Sequence, residues 1–345
     1  MFPFKFLSTL QEQTRIRLQY GPEFIGDSEK IEVGLTERVN VLKEGSHNLY
    51  FYQGINKTEK KIPILLIYSL INRSYIFDLR PGRSLIEYLI NQGFDVYLLD
   101  WGDPTPDMAY KSLEEMIGGT LHRFIRWIRR ENDIPKINLL GYCMGGTFAT
   151  IYSGIHPELI NKLVLLTTPL GNDEGGTLQN IAKRINWGKA VSEAGIVSGR
   201  QLKLFFSSVK PVGSIKKERD FWLNYDQEKF IDNFLPVEKW SNDTPDLPGQ
   251  AFFEFLDICF VKDQLKSHKL SLGNSRIDFT KITFPVFSVA AQHDWIIPPS
   301  ALDTVKEVLP NAEHKIHLLP GGHIGLVVGK QAVNLWEQLK EFFSD

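Results

Sequence analysis

The chain has 345 residues, of which 43% are hydrophobic and 12% aromatic, and its formal net charge is −2 at pH 7. That much apolar material fills a large core. The near-balance of charge offers no basic face for nucleic acid, and no apolar run reaches the ~20 residues that a membrane span needs. The opening MFPFKFLSTLQEQTRIRLQY has no sustained apolar core and no small-residue cleavage site, so a cytoplasmic location is expected. Cys143 and Cys259 are the only cysteines. Without a CxxC pair, neither a disulfide framework nor a cysteine zinc site is expected.

Residues 1–45 are polar and charged and read as a peripheral arm. IPILLIYSLI (62–71) reads as a buried strand running into a loop. SLIEYLINQG (84–93) follows as a helix that Gly93 ends, and FDVYLLD (94–100) is the next strand. SLEEMIGGTLHRFIRWIRREN (112–132) opens with a Ser112/Glu115 capping box, then sets Ile117, Leu121, Phe124, Ile125 and Ile128 at helical spacing. INLLG (137–141) and KLVLLTT (162–168) are buried strands. After them come FPVFSVAA (284–291), a helix from Pro299, HKIHLLP (314–320) and a last helix through Trp336 and Phe342. Such alternation predicts a mostly parallel sheet with helices on both faces.

The alternation stops between Gly171 and Ile282. This stretch is rich in aromatics, among them Trp187, Phe205, Phe206, Trp222, Tyr225, Trp240 and Phe255, and reads as mainly helical. An insertion between two strands is expected to form a cap over the site; an independent second domain is the alternative. The expected division is arm 1–45, core 46–170, cap 171–282 and core 283–345.

In LLGYCMGGTFAT (139–150), a strand end meets a helix start through a turn crowded with Gly141, Gly145 and Gly146. A nucleophile at such an apex is the elbow of α/β-hydrolase folds, and here the apex is Cys143. The helix N-terminus aims free N–H groups and the positive end of its dipole at the thiol. The Met144 N–H is set to donate to an oxyanion. A thiol needs a base, and the chain order on this architecture is nucleophile, acid, histidine. AAQHDWIIPP (290–299) sets Asp294 just past one strand, and LLPGGHIGLVVG (318–329) sets His323 just past the last. All three fall at carboxyl ends of strands, where open α/β sheets bind ligands.

His293 is a rival base and Asp100 a rival acid, and chain order favours His323 and Asp294 over them. Asp78 reads as a loop-positioning residue, and Cys259 in FLDICFVK as a buried apolar one. His314 and His317 point to opposite faces of a strand, which argues against a metal site with His323. No metal or cofactor is expected.

GYCMGGT resembles the cysteine-bearing lipase box of polyhydroxyalkanoate synthases. PILLIYSLINRSYIFDLRPGRSLIEYLINQGFDVYLLDWGDP (63–104), TTP (167–169), EKWSNDTPDLPGQAF (238–252) and GGHIG (321–325) are similar to that family in position. The length, and IEVGLTERVNVLKEGSHNLYFY (31–52), resemble the small catalytic subunits of the two-component class III and class IV types. Two departures stand out. Trp295 follows Asp294, and His293 precedes it, where the family usually has His directly after the Asp. Leu170-Gly171-Asn172 follows TTP where the family often has Asp-Phe.

The resemblance implies that Cys143 carries the acyl chain, His323 activates it and Asp294 completes the triad. Asp294 would also help activate the substrate hydroxyl through His323. The loop Leu70-Ile71-Asn72 would supply a second oxyanion N–H, on Ile71, beside that of Met144. The implied substrate is an (R)-3-hydroxyacyl-CoA, foremost 3-hydroxybutyryl-CoA, polymerised with release of CoA. A second synthase subunit is the implied partner, with a homo-oligomer open, and the location is the surface of polyester granules. The alternatives are a cysteine-dependent hydrolase or acyltransferase of the same fold, and a non-catalytic granule-associated subunit.

Overall fold

Ile64–Ile67 is an unbroken apolar run whose four side chains are all buried. Such a strand has to be covered on both faces, which puts it inside a parallel sheet. In the computed structural model it lies near the middle of eight strands. The structure describes residues 31–57, 59–172, 177–184, 195–209, 221, 223–224, 227–329 and 331–345. Residues 1–30 of the expected arm, and Trp187, Trp222 and Tyr225 of the aromatic stretch, lie outside the described residues.

The strands are β1 (Val39–Glu44), β2 (His47–Tyr52), β3 (Ile64–Ile67), β4 (Val96–Asp100), β5 (Ile137–Tyr142), β6 (Ile160–Leu166), β7 (Pro285–Ala291) and β8 (Glu313–Leu319). Their order in the sheet is β1-β2-β4-β3-β5-β6-β7-β8. β2 runs antiparallel to both neighbours, and every other pair is parallel. The expected arm of 1–45 is therefore too long. Its last residues form β1, the edge strand, because the hairpin through Gly45 pairs Glu44 with His47. Alternation in 39–44 is weak, with half-buried and exposed positions mixed, and hides the strand from a periodicity reading.

Successive side chains of β3 face opposite sides of the sheet. Leu65 and Ile67 join a core with Leu99, Leu139 and Phe148, while Ile64 and Leu66 join another with Leu98, Leu140 and Trp336. Helices α1 (Leu85–Asn91), α2 (His122–Asn132) and α3 (Met144–Ile155) connect the central strands. Ser84 Oγ accepts the Glu87 N–H at 2.9 Å and starts α1, and Gly93 follows its end at φ 83°. The capping box also forms. Glu115 N donates to Ser112 Oγ at 3.2 Å, and Ser112 N to Glu115 Oε2 at 2.8 Å. The segment it opens is wider than expected, since Glu114–Leu121 is a π-helix and only then does α2 begin.

Between β6 and β7 the chain leaves the sheet through α4 (Thr177–Ala182), α5 (Gly199–Val209), α6 (Glu228–Asn242) and α7 (Gly249–Leu256). Leu247, Phe252, Phe255 and Cys259 of this insertion share the core that holds Leu65 and Phe148. Trp240, at the end of α6, joins the opposite core with Tyr68 and Tyr142. The chain then closes through α8 (Ala301–Val308), α9 (Gly325–Val328) and α10 (Ala332–Ser344). Among the described residues no helix is long and apolar enough to cross a membrane.

Candidate active site

β5 ends at Tyr142 and α3 starts at Met144, so one residue has to turn the chain. That residue is Cys143, at φ 52° and ψ −125°. A side chain in this conformation is strained, and such strain persists only where the surroundings fix it. The Cys143 N–H donates to the Leu166 carbonyl of β6 at 2.9 Å, and the Gly146 N–H returns to the Cys143 carbonyl at 2.9 Å. The glycines let the helix press against the sheet. A Cβ on Gly145 would stand 2.1 Å from the Ile67 carbonyl oxygen, and one on Gly146 1.9 Å from Thr168 Oγ1. Cys143 itself stays partly accessible.

Asp294 and His323 sit in the turns after β7 and β8, strands that pair side by side. His323 Nδ1 lies 2.7 Å from Asp294 Oδ2. The other carboxylate oxygen accepts the N–H groups of Ile296 and Ile297 at 2.9 and 3.0 Å. The turn DWII thus wraps its own backbone around the carboxylate and leaves one oxygen for the imidazole. With Nδ1 donating to Asp294, Nε2 is the ring atom left for Cys143, whose charge acts on the imidazole. Burial works to lower the His323 pKa. The charges of Asp294 and of a Cys143 thiolate, with their hydrogen bonds, outweigh it and raise the imidazole to about 10.

The rivals lie elsewhere. His293 is exposed, although its N–H donates to the Gly321 carbonyl at 2.8 Å. Asp100 Oδ1 accepts the Gly102 N–H at 2.9 Å, inside its own turn. Asp78 holds a loop, accepting from the Thr36 N–H and hydroxyl at 3.0 and 2.7 Å. His314 and His317 bond separate elements, through the Leu309 carbonyl and Gln338. Cys259 is fully buried.

The sheet order reverses at β3, and Ile67 pairs there with Gly141. The loop Leu70-Ile71-Asn72 therefore leaves the sheet beside the cysteine turn, at a topological switch point. Met144 is the first residue of α3, so its N–H is one of those with no carbonyl acceptor within the helix. The Ile71 N–H is engaged, donating to Ser69 Oγ at 3.0 Å. Aromatic rings brace the floor. Tyr142 stacks on Tyr68 with centroids 5.6 Å apart, lies 5.2 Å from the His323 ring, and donates its hydroxyl to the His323 carbonyl at 3.1 Å.

Sequence reasoning missed that this loop is bound to the insertion. Asn72, Arg73 and Tyr75 bond Trp240 and Asp243. The signal was divided between two separate stretches, LINRSY (70–75) and EKWSND (238–243), with nothing in their spacing to join them.

The family model of the alpha/beta hydrolase fold matches residues 62–330. The model of the poly-beta-hydroxybutyrate polymerase (PhaC) N-terminus matches residues 25–89. The poly(3-hydroxyalkanoate) polymerase subunit PhaC of Synechocystis sp. is 31% identical, over 95% of this chain and 91% of its own length. That of Allochromatium vinosum is 30% identical over 96% and 94%. The one of Haloferax mediterranei is 32% identical over 92% of this chain, which spans 65% of that relative's length. Among solved structures, a monoacylglycerol lipase from Paleococcus ferrophilus matches with TM-score 0.52 at 19% identity, covering 86% of this chain and 98% of its own. A thermophilic esterase from Thermogutta terrifontis matches with TM-score 0.53 at 16% identity, covering 89% and 98%. These two likenesses concern the fold. With a sheet of this order, a cysteine at its elbow and polymerase relatives matched almost end to end, the chain belongs to the poly(3-hydroxyalkanoate) polymerase family, acyltransferases on the alpha/beta hydrolase fold.

Proposed function

We propose that this chain polymerises (R)-3-hydroxyacyl-CoA, foremost 3-hydroxybutyryl-CoA, through a thioester on Cys143. The observation that carries the reading is Cys143 on its strained turn, together with a His323 imidazole that Asp294 holds at 2.7 Å and on which the charge of Cys143 acts. The Cys143 thiolate attacks the thioester carbonyl, and the Met144 and Ile71 N–H groups receive the oxyanion. One well-aimed donor of this kind is worth about 10²–10³ in rate. The bond to the CoA sulfur breaks, and CoA leaves with the proton of His323 Nε2. In elongation a 3-hydroxyl attacks the acyl-Cys143 carbonyl. Its proton passes to His323, an ester bond forms, and Cys143 leaves as thiolate. No cofactor enters, and the CoA thioester is the substrate.

This scheme gives a reason for cysteine. A cysteine thioester is nearly isoenergetic with a CoA thioester, so the acyl group stays activated for the next hydroxyl. An ester on serine would lie lower and lose that driving force. The apolar insertion, whose Trp240 joins the same core that Cys143 packs against, helps exclude competing water. The relatives' description as polymerase subunits supports a second synthase subunit as partner. The place of work proposed for the pair is the surface of polyester granules.

The test is incubation of the purified chain with 3-hydroxybutyryl-CoA. CoA release, insoluble polymer and an acyl adduct on Cys143 by mass spectrometry are expected. The chain alone should start after a lag that the partner subunit shortens. Free 3-hydroxybutyrate without polymer would make it a thiol hydrolase, and no CoA release with or without partner would leave a granule-associated subunit.

A further inference from the structure

The loop leaving β3 is tied to the end of α6 by a set of directional bonds. Arg73 Nε donates to Asp243 Oδ1 at 2.9 Å, and its other arm reaches Asp103 Oδ1 at 2.8 Å. Asn72 Nδ2 donates to the Trp240 carbonyl at 3.0 Å, and Trp240 Nε1 donates back to the Arg73 carbonyl at 2.7 Å. Tyr75 Oη donates to Asp243 Oδ2 at 3.2 Å. Asn72 is held in the left-handed region, at φ 64°. One residue before it, the Ile71 N–H donates to the buried Ser69 hydroxyl at 3.0 Å. A donor engaged in that way is not free for an oxyanion. The loop's shape and the insertion's position are thus one mechanical unit, and the unit as it stands keeps the donor occupied.

We propose that Arg73 is a positioning residue for the thioester reaction: with Asp243 it holds the β3 loop at rest, with the Ile71 N–H on Ser69, and release of this tie frees that N–H for the carbonyl being attacked by Cys143. The proposal rests on the acyl-cysteine reading above. The chemistry of the tie suits release. The Arg73 and Asp243 side chains are 25% and 38% exposed, so water and salt compete for the pair. A partner that draws α6 away would break four of these bonds together, since all four end on Trp240 or Asp243.

The experiment uses the whole chain, without partner, and 3-hydroxybutyryl-CoA. Arg73→Gln breaks the tie from the loop side, and Ser69→Ala removes the resting acceptor without touching the insertion. First-turnover CoA release is measured beside alkylation of Cys143 by iodoacetamide, which needs a thiolate and access but no oxyanion donor. Each variant should speed acylation about fivefold, the worth of one ordinary hydrogen bond. Alkylation should stay unchanged, the double variant should gain no more than either single, and Arg73→Lys should keep the slow rate. Acylation unchanged or slower in folded variants would overturn the proposal. So would alkylation rising in step, which would make Arg73 a lid contact alone. If Arg73→Gln fails to fold, Ser69→Ala decides. A wild type that never acylates Cys143 ends the acyl-cysteine reading itself. A wild type that acylates while the variants do not respond ends only this proposal.

Discussion

His323 Nδ1 and Asp294 Oδ2 lie 2.7 Å apart, with the carboxylate side chain shielded from water and the imidazole nearly so. This bond fixes the tautomer and leaves Nε2 for Cys143. The neighbouring His293 is only one residue from Asp294 in sequence, yet its ring is exposed. Two histidines that look alike in the string HDWII…GGHIG are therefore set apart by burial and by one hydrogen bond.

Replacing His323 by Ala should abolish CoA release while the fold survives. It removes the proton carrier, and its neighbours Tyr142 and Asp294 keep their own backbone ties. His293→Ala should change the rate by less than about threefold, as expected for an exposed side chain outside the machinery. Steady-state CoA release with both variants checks this. An active His323→Ala variant, or an inactive His293→Ala variant, would reverse the assignment.

Asp294→Asn should bring the imidazole down. Burial alone lowers the His323 pKa, and the Asp294 charge is the first of the influences that raise it to about 10. Without that charge, NMR titration of the ring should find it far below 10. The same pair shapes stability. A group whose folded pKa is raised stabilises the fold fully below its ordinary value of about 6.5, and that contribution is lost as pH rises through about 10. The melting temperature of wild type should therefore fall relative to Asp294→Asn as pH climbs across that window.

Much of this was legible in residues 62–168 and 284–342, because strands buried on both faces read as continuous apolar runs and the capping box and glycines punctuate them. Chain order alone separated Asp294 and His323 from Asp100 and His293. What stayed hidden has both local and distant causes. β1 shows only weak alternation, because none of its positions is fully buried. The π-helical turns over Glu114–Leu121 share the spacing of an α-helix too closely to be told apart by periodicity. The Ile71 N–H reads as free from sequence, since nothing in SLIN reveals that the Ser69 hydroxyl folds back on it. Arg73 and Asp243 are 170 positions apart.

Glycine at the elbow offers a third test, on stability. A methyl on Gly145 would stand 2.1 Å from the Ile67 carbonyl, against backbone that cannot rotate away. Gly145→Ala should cost about 1–3 kcal/mol, in the range of overpacked cores, and should also displace the β3 loop. Gly118, in the helical segment before α2, has open space around its missing Cβ. Gly118→Ala should instead gain about 0.5–1 kcal/mol, the helical preference for alanine. Urea titration of both variants checks the contrast. Equal effects would mean that close approach at the elbow is not what requires glycine there.

The last test is Cys143→Ser. The turn geometry should be kept, because serine differs by one atom and the φ of 52° is imposed by the bonds to Leu166 and Gly146. The chemistry should not be kept. A serine hydroxyl gives up its proton far less readily than a thiol, and part of what raises the His323 imidazole, the charge and hydrogen bonding of Cys143, is gone in the variant. A neutral hydroxyl does not replace that charge, so the thiolate–imidazolium pair is not re-formed. Acylation should then fall by orders of magnitude. The Met144 N–H at the helix start remains, so a residual rate above that in water is expected. Any acyl-serine that forms is an ordinary ester, a poor donor to the next 3-hydroxyl. The variant should bind substrate, acylate slowly, and then stall or hydrolyse without long polymer. Mass spectrometry of the protein and a polymer assay, run beside wild type, separate the two effects. A slow adduct with no polymer supports thioester retention as the reason for cysteine. Polymer made nearly as fast as by wild type would show that the elbow of this sheet does not depend on sulfur.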